Sequence, residues 1–146
     1  MDNKPILPDY YNAFQRHWKD AENLYAASRL PNADQLYAYS AECGLKRLMQ
    51  QFGMSVDPSS GMPPSEDRVH ADKIWDRYAT YTTGKGAARH ALPPTNPFDD
   101  WHMSLRYVHD SNFNKSMVDK HKSGAETVRI LIDKAILEGI LKYENI

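Results

Sequence analysis

Apolar residues that recur at steps of three and four dominate this chain, and that spacing places them on one face of an α-helix. The longest such stretch covers approximately residues 115–142. Its apolar positions are Val118, Ala125, Val128, Leu131, Ile132, Ala135, Ile136, Gly139 and Ile140. Nowhere does an alternating strand pattern persist, and no repeat of solenoid length is present. The periodicity therefore predicts an all-helical fold.

Two more helical stripes lie close together near the N-terminus. The first runs over residues 11–28, and Pro31 is predicted to stop it because proline breaks a helix interior. Asn32 offers an N-cap oxygen for the second helix, and Gly53 is placed to end it. These two helices are expected to be joined by a tight turn.

Two stretches rich in turn residues flank a shorter third helix, which is predicted over approximately residues 67–82. They are SVDPSSGMPPS at 55–65 and GKGAARHALPPTNPFDD at 84–100. Long irregular loops in compact domains are often functional. We expect one domain over residues 1–146, an antiparallel up-and-down four-helix bundle with long loops after helices 2 and 3.

Charge and cysteine content exclude several classes of protein. Lys and Arg number 18 against 19 for Asp and Glu, so no basic field covers the whole surface. Cys43 is the one cysteine and the N-terminus has no signal pattern, which together favour the cytoplasm. No apolar run approaches the roughly 20 residues of a membrane helix, so no membrane partner is expected.

Cofactor and thiol chemistry also find little support in the sequence. The short Gly84-Lys85-Gly86 run follows a helix and lacks the spacing of a dinucleotide or phosphate loop, so it predicts a flexible turn. Cys43 lies among apolar neighbours in the middle of a helix, where a thiol is usually inert. We expect no cofactor.

Asp99, Asp100 and His102 are the residues that could suggest a metal site, with His70 approaching from another helix. The alternative is that Asp99 or Asp100 caps the amide groups of a following helix. The cap is favoured, so no metal site is predicted. The remaining isolated histidines are expected at the surface or at interfaces: His17, His90 and His121.

Three short motifs occur in order along the chain. They are Trp18-x-Asp20-Ala21-Glu22-x-Leu24; then Ala33, Tyr37 and Ala41-Glu42-Cys43-x-Leu45-Lys46; and then Trp101-x4-Arg106-Tyr107. Together they resemble the HEPN family, the small helical bundles named for higher-eukaryote and prokaryote nucleotide-binding domains. The resemblance implies a homodimer and roles in RNA cleavage, in bacterial toxin–antitoxin or defence systems, or in non-catalytic binding of RNA, a nucleotide or a partner protein.

Arg106 and His109 are the candidate catalytic pair. Ribonuclease members of that family are similar in carrying an arginine and a more distant histidine near the last helix, whereas only Tyr107 and Val108 separate the pair here. On a helix the two would still share a face, and histidine could move protons while arginine stabilises phosphate charge. The short spacing favours a catalytically degenerate binding module. A metal-independent ribonuclease using Arg106 and His109 is the alternative.

A polar cluster is expected between the second helix and the segment before the last one. An arginine entering an apolar bundle needs a carboxylate or a phosphate to offset its desolvation. This requirement predicts a cluster of Glu42, Lys46, Arg106 and Tyr107, with Trp101 beside them as part of a ligand-binding surface. Two plainer roles stay open. Trp101 and Tyr107 would be packing residues, and Glu42 with Lys46 would be a simple pair one helical turn apart.

Overall fold

A computed structural model of the chain describes residues 6–84 and 87–142. It contains four α-helices: α1 (Tyr10–Ala26), α2 (Leu30–Gln51), α3 (Ala71–Ala79) and α4 (Lys115–Leu137). Short 3-10 turns lie in the connections, at Ser65–Asp67, Ala88–His90, Met103–Tyr107 and Asp110–Asn112. No strand occurs in these two described ranges. The prediction of an all-helical fold is confirmed.

The connection between α1 and α2 differs from the prediction. Ser28 adopts a left-handed backbone conformation with φ of 59°, which lets the chain reverse direction at once. Pro31 does not end a helix but lies in the first turn of α2, where a missing N–H leaves no hydrogen bond unmade. Arg29, not Asn32, precedes α2, and its side chain makes no capping hydrogen bond.

Helix α3 is shorter than the predicted 67–82. Asp67 lies before it in a 3-10 turn, buried, where it accepts hydrogen bonds from Arg77 Nε at 2.6 Å and from the Tyr81 hydroxyl at 2.5 Å. The acidic residue thus folds back against the helix instead of starting it. The ends of α2 and α4 do carry glycines in the left-handed region, Gly53 with φ of 117° and Gly139 with φ of 75°.

Helix α2 is central, because α1, α3 and α4 all pack against it. Gly44 permits a close approach: a methyl group there would lie 2.7 Å from Val128 Cγ1 and 2.9 Å from Phe14 Cδ1. Ser40 Oγ donates a buried hydrogen bond to the Phe14 carbonyl oxygen at 2.9 Å. The buried residues of α2 are Ala33, Asp34, Tyr37, Ala38, Ser40, Ala41, Gly44, Leu45, Lys46, Leu48 and Met49.

The long connection between α3 and α4 contributes to the core. Phe98 and Trp101 are buried, and the Phe98 ring stacks on the His121 ring of α4 with centroids 5.4 Å apart. Asn96 Nδ2 donates to the Asp72 carbonyl oxygen at 2.8 Å, and Trp75 Nε1 donates to the Pro93 carbonyl oxygen at 2.9 Å. Pro93 and Asn96 of the connection are therefore fixed to α3. No described helix combines the length and apolar character needed to cross a membrane.

Candidate functional site

Residues 106–109, here called the surface tract, run over the outside of the molecule with all four side chains exposed. The 3-10 turn ends at Tyr107, and Val108 and His109 have extended backbone conformations. Arg106 and His109 therefore do not share a helical face, contrary to the prediction. The fold places them on the same short tract without fixing them as a pair.

Arg106 stacks over Tyr107, with its guanidinium carbon 4.8 Å from the ring centroid. Within the described residues no ion pair joins it to Glu42. Glu42 instead pairs with Lys46 Nζ at 3.0 Å and with His70 Nδ1 at 3.2 Å. The predicted cluster thus does not form within one chain, because the segment carrying Arg106 and Tyr107 stays at the surface instead of entering the bundle.

Trp101, the remaining member of the predicted binding surface, lies in the core. Its ring meets Tyr39 edge-on, with centroids 6.2 Å apart. Its indole Nε1 has no hydrogen-bond partner among the described residues. Trp101 is therefore inaccessible to a base in this conformation, and its position fits the packing role.

His109 has one ring nitrogen occupied by its own turn. The Ser111 backbone N–H donates to His109 Nδ1 at 3.1 Å, and Ser111 Oγ lies 3.0 Å from the same nitrogen. When Nδ1 accepts, a neutral ring carries its proton on Nε2. In that tautomer His109 can donate a hydrogen bond to a phosphate oxygen, whereas taking up a proton at Nε2 requires the other tautomer.

A cleft of about 390 Å³ is lined in part by Asp110 and Phe113, which belong to the segment that directly follows the surface tract. One wall is the α1–α2 connection, residues 28–32, and the other is formed by Asp110 and Phe113. Asp110 directly follows His109 in the chain. The exposed cation of Arg29, the carboxylate of Asp110 and the ring of Phe113 give the cleft charged and aromatic groups together.

Asp99, Asp100 and His102 do not converge on a metal site. Lys120 Nζ lies 3.1 Å from Asp99 Oδ1 and 3.3 Å from Asp100 Oδ2, and His102 Nδ1 accepts from the Ser104 N–H at 3.1 Å. Across residues 6–84 and 87–142 no group of three or more potential ligands could hold a metal ion. The capping role predicted for the aspartates is wrong as well, because the following turn is capped by His102.

The sequence did not predict a polar cluster around buried His121. His121 of α4 is fully buried, with Nδ1 2.5 Å from Asp34 Oδ1 and Nε2 2.8 Å from Asp100 Oδ1. Asp34 is also buried, and its Oδ2 has no hydrogen-bond partner among the described residues. We call Asp34, Asp100 and His121 the histidine triad. The expectation of His121 at a surface or interface is wrong.

Burial and charge act in opposite directions on the histidine triad. Burial alone would lower the pKa of His121, but hydrogen bonds and negative charge from Asp34, and then from Asp100, raise it above its usual value. Burial raises the pKa of Asp34. Burial also acts to raise the pKa of Asp100, yet His121 and then Lys120 hold it below its usual value. The cluster therefore favours an imidazolium that donates from both nitrogens.

His90 was also expected at the surface and is buried instead. Its Nε2 lies 2.9 Å from Glu138 Oε2, and Arg89 Nη2 lies 3.0 Å from Glu138 Oε1. The ring packs against Phe52, with centroids 5.8 Å apart. These contacts attach the 3-10 turn Ala88–His90 to the end of α4 and give His90 a structural role.

Cys43 lies partly buried in α2. Burial, and then the charge of Glu42, raises the pKa of its thiol to about 12. Near neutral pH the sulfur therefore stays protonated and poorly nucleophilic.

The chain matches no protein family model, no curated protein and no solved structure.

Proposed function

We propose that this protein is a HEPN-like helical module that binds single-stranded RNA through the surface tract and does not cleave it. The observation that carries the proposal is the exposed stack of Arg106 on Tyr107, whose side chain is 77% exposed. Stacking of an aromatic ring on an unpaired base contributes about 1–3 kcal/mol per base to the binding free energy. An arginine beside such a ring can reach the adjoining phosphate with two parallel hydrogen bonds.

The neighbouring cleft supports a ligand longer than one nucleotide. Arg29 provides a second cation on the opposite wall, and Phe113 provides a second aromatic ring. Because the net charge of the whole chain is -1, attraction to phosphate must come from this local arrangement. Binding is therefore expected to be moderate in affinity and to weaken as salt concentration rises.

The binding role is favoured over cleavage by the backbone between Arg106 and His109. Extended residues separate the two side chains, and Nδ1 of His109 already accepts a hydrogen bond. The second candidate, a metal-independent ribonuclease, is favoured by one observation: both side chains are exposed on one tract and could meet the same phosphate.

A homodimer with the antiparallel, up-and-down helix order of HEPN-like bundles is part of the proposal. Two copies would present two surface tracts to one RNA strand, and linked sites bind more tightly than either site alone. A mononucleotide or a partner protein would be a different ligand for the same tract. The RNA-binding experiment described next tests whether RNA is the ligand.

The test is fluorescence anisotropy with a labelled single-stranded oligouridine at low and at moderate salt. Arg106→Ala and Tyr107→Ala are each expected to weaken binding about tenfold, and Tyr107→Phe to preserve it because the stacking ring remains. Arg16→Ala is the matched control, since Arg16 is an exposed arginine that belongs to α1 and not to the surface tract. Equal losses for Arg16→Ala and Arg106→Ala, or displacement by a mononucleotide as effective as by RNA, would contradict the proposal.

The same samples test cleavage when RNA is incubated in EDTA and resolved on a gel. Intact RNA is expected. His102→Ala serves as the control for His109→Ala. Each of these histidines accepts a hydrogen bond from the backbone N–H of the serine two positions later in the chain. Cleavage that persists in EDTA and disappears in His109→Ala alone would replace the binding module with the ribonuclease.

A further inference from the structure

We propose that the histidine triad is a proton-dependent clamp on the connection between α3 and α4, and that residues 99–113 loosen when His121 loses its proton. The triad joins three separate parts of the fold. Asp34 belongs to α2, His121 to α4 and Asp100 to the connection itself. This inference stands apart from RNA binding, because it concerns how the chain holds its own segment.

The protonation state of His121 decides how many hydrogen bonds its ring can donate. An imidazolium has two N–H groups and can donate to both Asp34 and Asp100. A neutral imidazole has one N–H and one lone pair, so one of the two carboxylates would face a lone pair instead of a donor. Loss of the proton therefore breaks one of the two contacts.

Burial determines which contact breaks. The side chain of Asp34 is 1% exposed, whereas that of Asp100 is 48% exposed. Asp34 already has one oxygen without a partner, so it has no other donor to turn to. Asp100 can turn to solvent at little cost. The connection, rather than α2, is expected to separate from His121.

The surrounding charges agree with this direction. The charged groups that contact the imidazole are Asp34 from α2 and Asp100 from the connection, and Lys120 of α4 acts through Asp100 and Asp99. Within the described residues, α1 and α3 place no charged group in hydrogen-bond contact with the ring. Protonated His121 and Lys120 offset two of the three carboxylates Asp34, Asp99 and Asp100. Deprotonation of His121 removes one of these two cations and leaves more negative charge beside a buried carboxylate.

The effect should be confined to the second half of the connection. Pro93 and Asn96 are held to α3 by hydrogen bonds with Trp75 and Asp72, independently of the triad. Asp100 is followed by Trp101, by residues 102–105 and then by the surface tract. Release of Asp100 is therefore expected to reach residues 99–113 and to leave residues 93–98 in place.

The sign of the pH dependence follows from the raised pKa of His121. Stabilisation by the clamp is fully present below the unfolded histidine pKa of about 6.5 and is lost as pH rises through the folded value. Nitrogen-15 NMR of the histidine rings should show both nitrogens of His121 protonated near pH 6. His17, whose pKa is lowered by burial and then by Arg16, is the internal reference and should lose its proton at a lower pH than His121.

Hydrogen exchange followed by mass spectrometry tests the consequence in the full chain. After correction for intrinsic rates, protection of residues 99–113 is expected to fall about tenfold or more as pH rises through the His121 titration, while α3 keeps its protection. Asp100→Asn should remove this pH response. Asp99→Asn should keep it, because Asp99 contacts Lys120 and not the ring.

His121→Gln removes the buried ring and could prevent folding, so the decisive variant is Asp100→Asn at the half-exposed position. A neutral His121 at pH 6 would overturn the proposal. So would protection of residues 99–113 that stays constant while His121 titrates, or a pH response that survives in Asp100→Asn.

Discussion

At the scale of single residues, Gly124 lets the preceding connection pack closely against α4. A methyl group there would lie 2.6 Å from Pro97 Cγ and 2.8 Å from Phe98 Cε2. Both neighbours are rings with little freedom to move aside. Only glycine therefore lets the connection lie this close to α4, one turn from His121.

We predict that Gly124→Ala destabilises the protein. Alanine gains about 1 kcal/mol of helix propensity, but overpacking against two rings costs about 1–3 kcal/mol. Urea denaturation at neutral pH measures the difference. Ser123→Ala, at an exposed neighbouring position of the same helix, should leave stability unchanged or slightly raised. Equal stability of the two variants would mean that Pro97 and Phe98 do not press on the helix.

At the scale of helices, the starts of α2 and α4 differ in a way that mutation can measure. Asn114 Oδ1 accepts from the Met117 N–H at 2.8 Å and caps α4. Asn32, which the sequence favoured as the cap of α2, lies inside the first turn and is exposed. The same residue type therefore has a capping role at one helix and none at the other.

Asn114→Ala is expected to lower the free energy of unfolding by about 1 kcal/mol, the usual loss when a helix cap is removed. Asn32→Ala should change it by less than about 0.5 kcal/mol, as for an ordinary surface substitution. Thermal unfolding followed by circular dichroism compares the two proteins directly. A larger loss of stability for Asn32→Ala than for Asn114→Ala would favour Asn32 as the N-cap of α2, as the sequence predicted.

The helices themselves could be predicted because periodicity is a local signal. Boundaries were less predictable: Pro31 is compatible with either the end of one helix or the first turn of the next, and the left-handed Ser28 decides between them. In the histidine triad, His121 lies 87 positions from Asp34 and 21 positions from Asp100 in the sequence. No spacing rule relates residues so far apart. One local signal did exist. His121 falls between Val118 and Ala125 on the apolar stripe of α4, which indicates burial.

The candidate site was predictable in part for a similar reason. Residue types identified Arg106, Tyr107 and His109, but not the extended backbone at Val108 and His109 that separates the arginine from the histidine. The cleft was not predicted, because its two walls come from the α1–α2 connection and from residues before α4. Such walls meet only after the helices pack around α2.

At the scale of the whole molecule, α4 exposes apolar side chains on one line. Ile130 is 63% exposed and Leu137 is 88% exposed, and their spacing places them on one face two turns apart. Burying such a pair against a second copy would remove apolar area from water. The homodimer stays a prediction, and this face is a concrete place to test it.

Light scattering at micromolar concentration is expected to give about twice the chain mass of 16.8 kDa. Ile130→Glu with Leu137→Lys should shift the mass toward a monomer. Met62→Lys, at another exposed apolar position, is the control and should not. A wild-type mass of one chain would reject the homodimer, and a dimer unaffected by the α4 variants would place the interface elsewhere.

The position of Cys43 in α2 has a kinetic consequence. Because the single thiol of this chain has a pKa of about 12 in the folded protein, alkylation by iodoacetamide near neutral pH should proceed mainly through molecules in which α2 has moved away from its neighbours. All three other helices pack against α2, so that movement requires their contacts to open as well. The alkylation rate of the unmodified protein would therefore measure how often the bundle opens, without any introduced label.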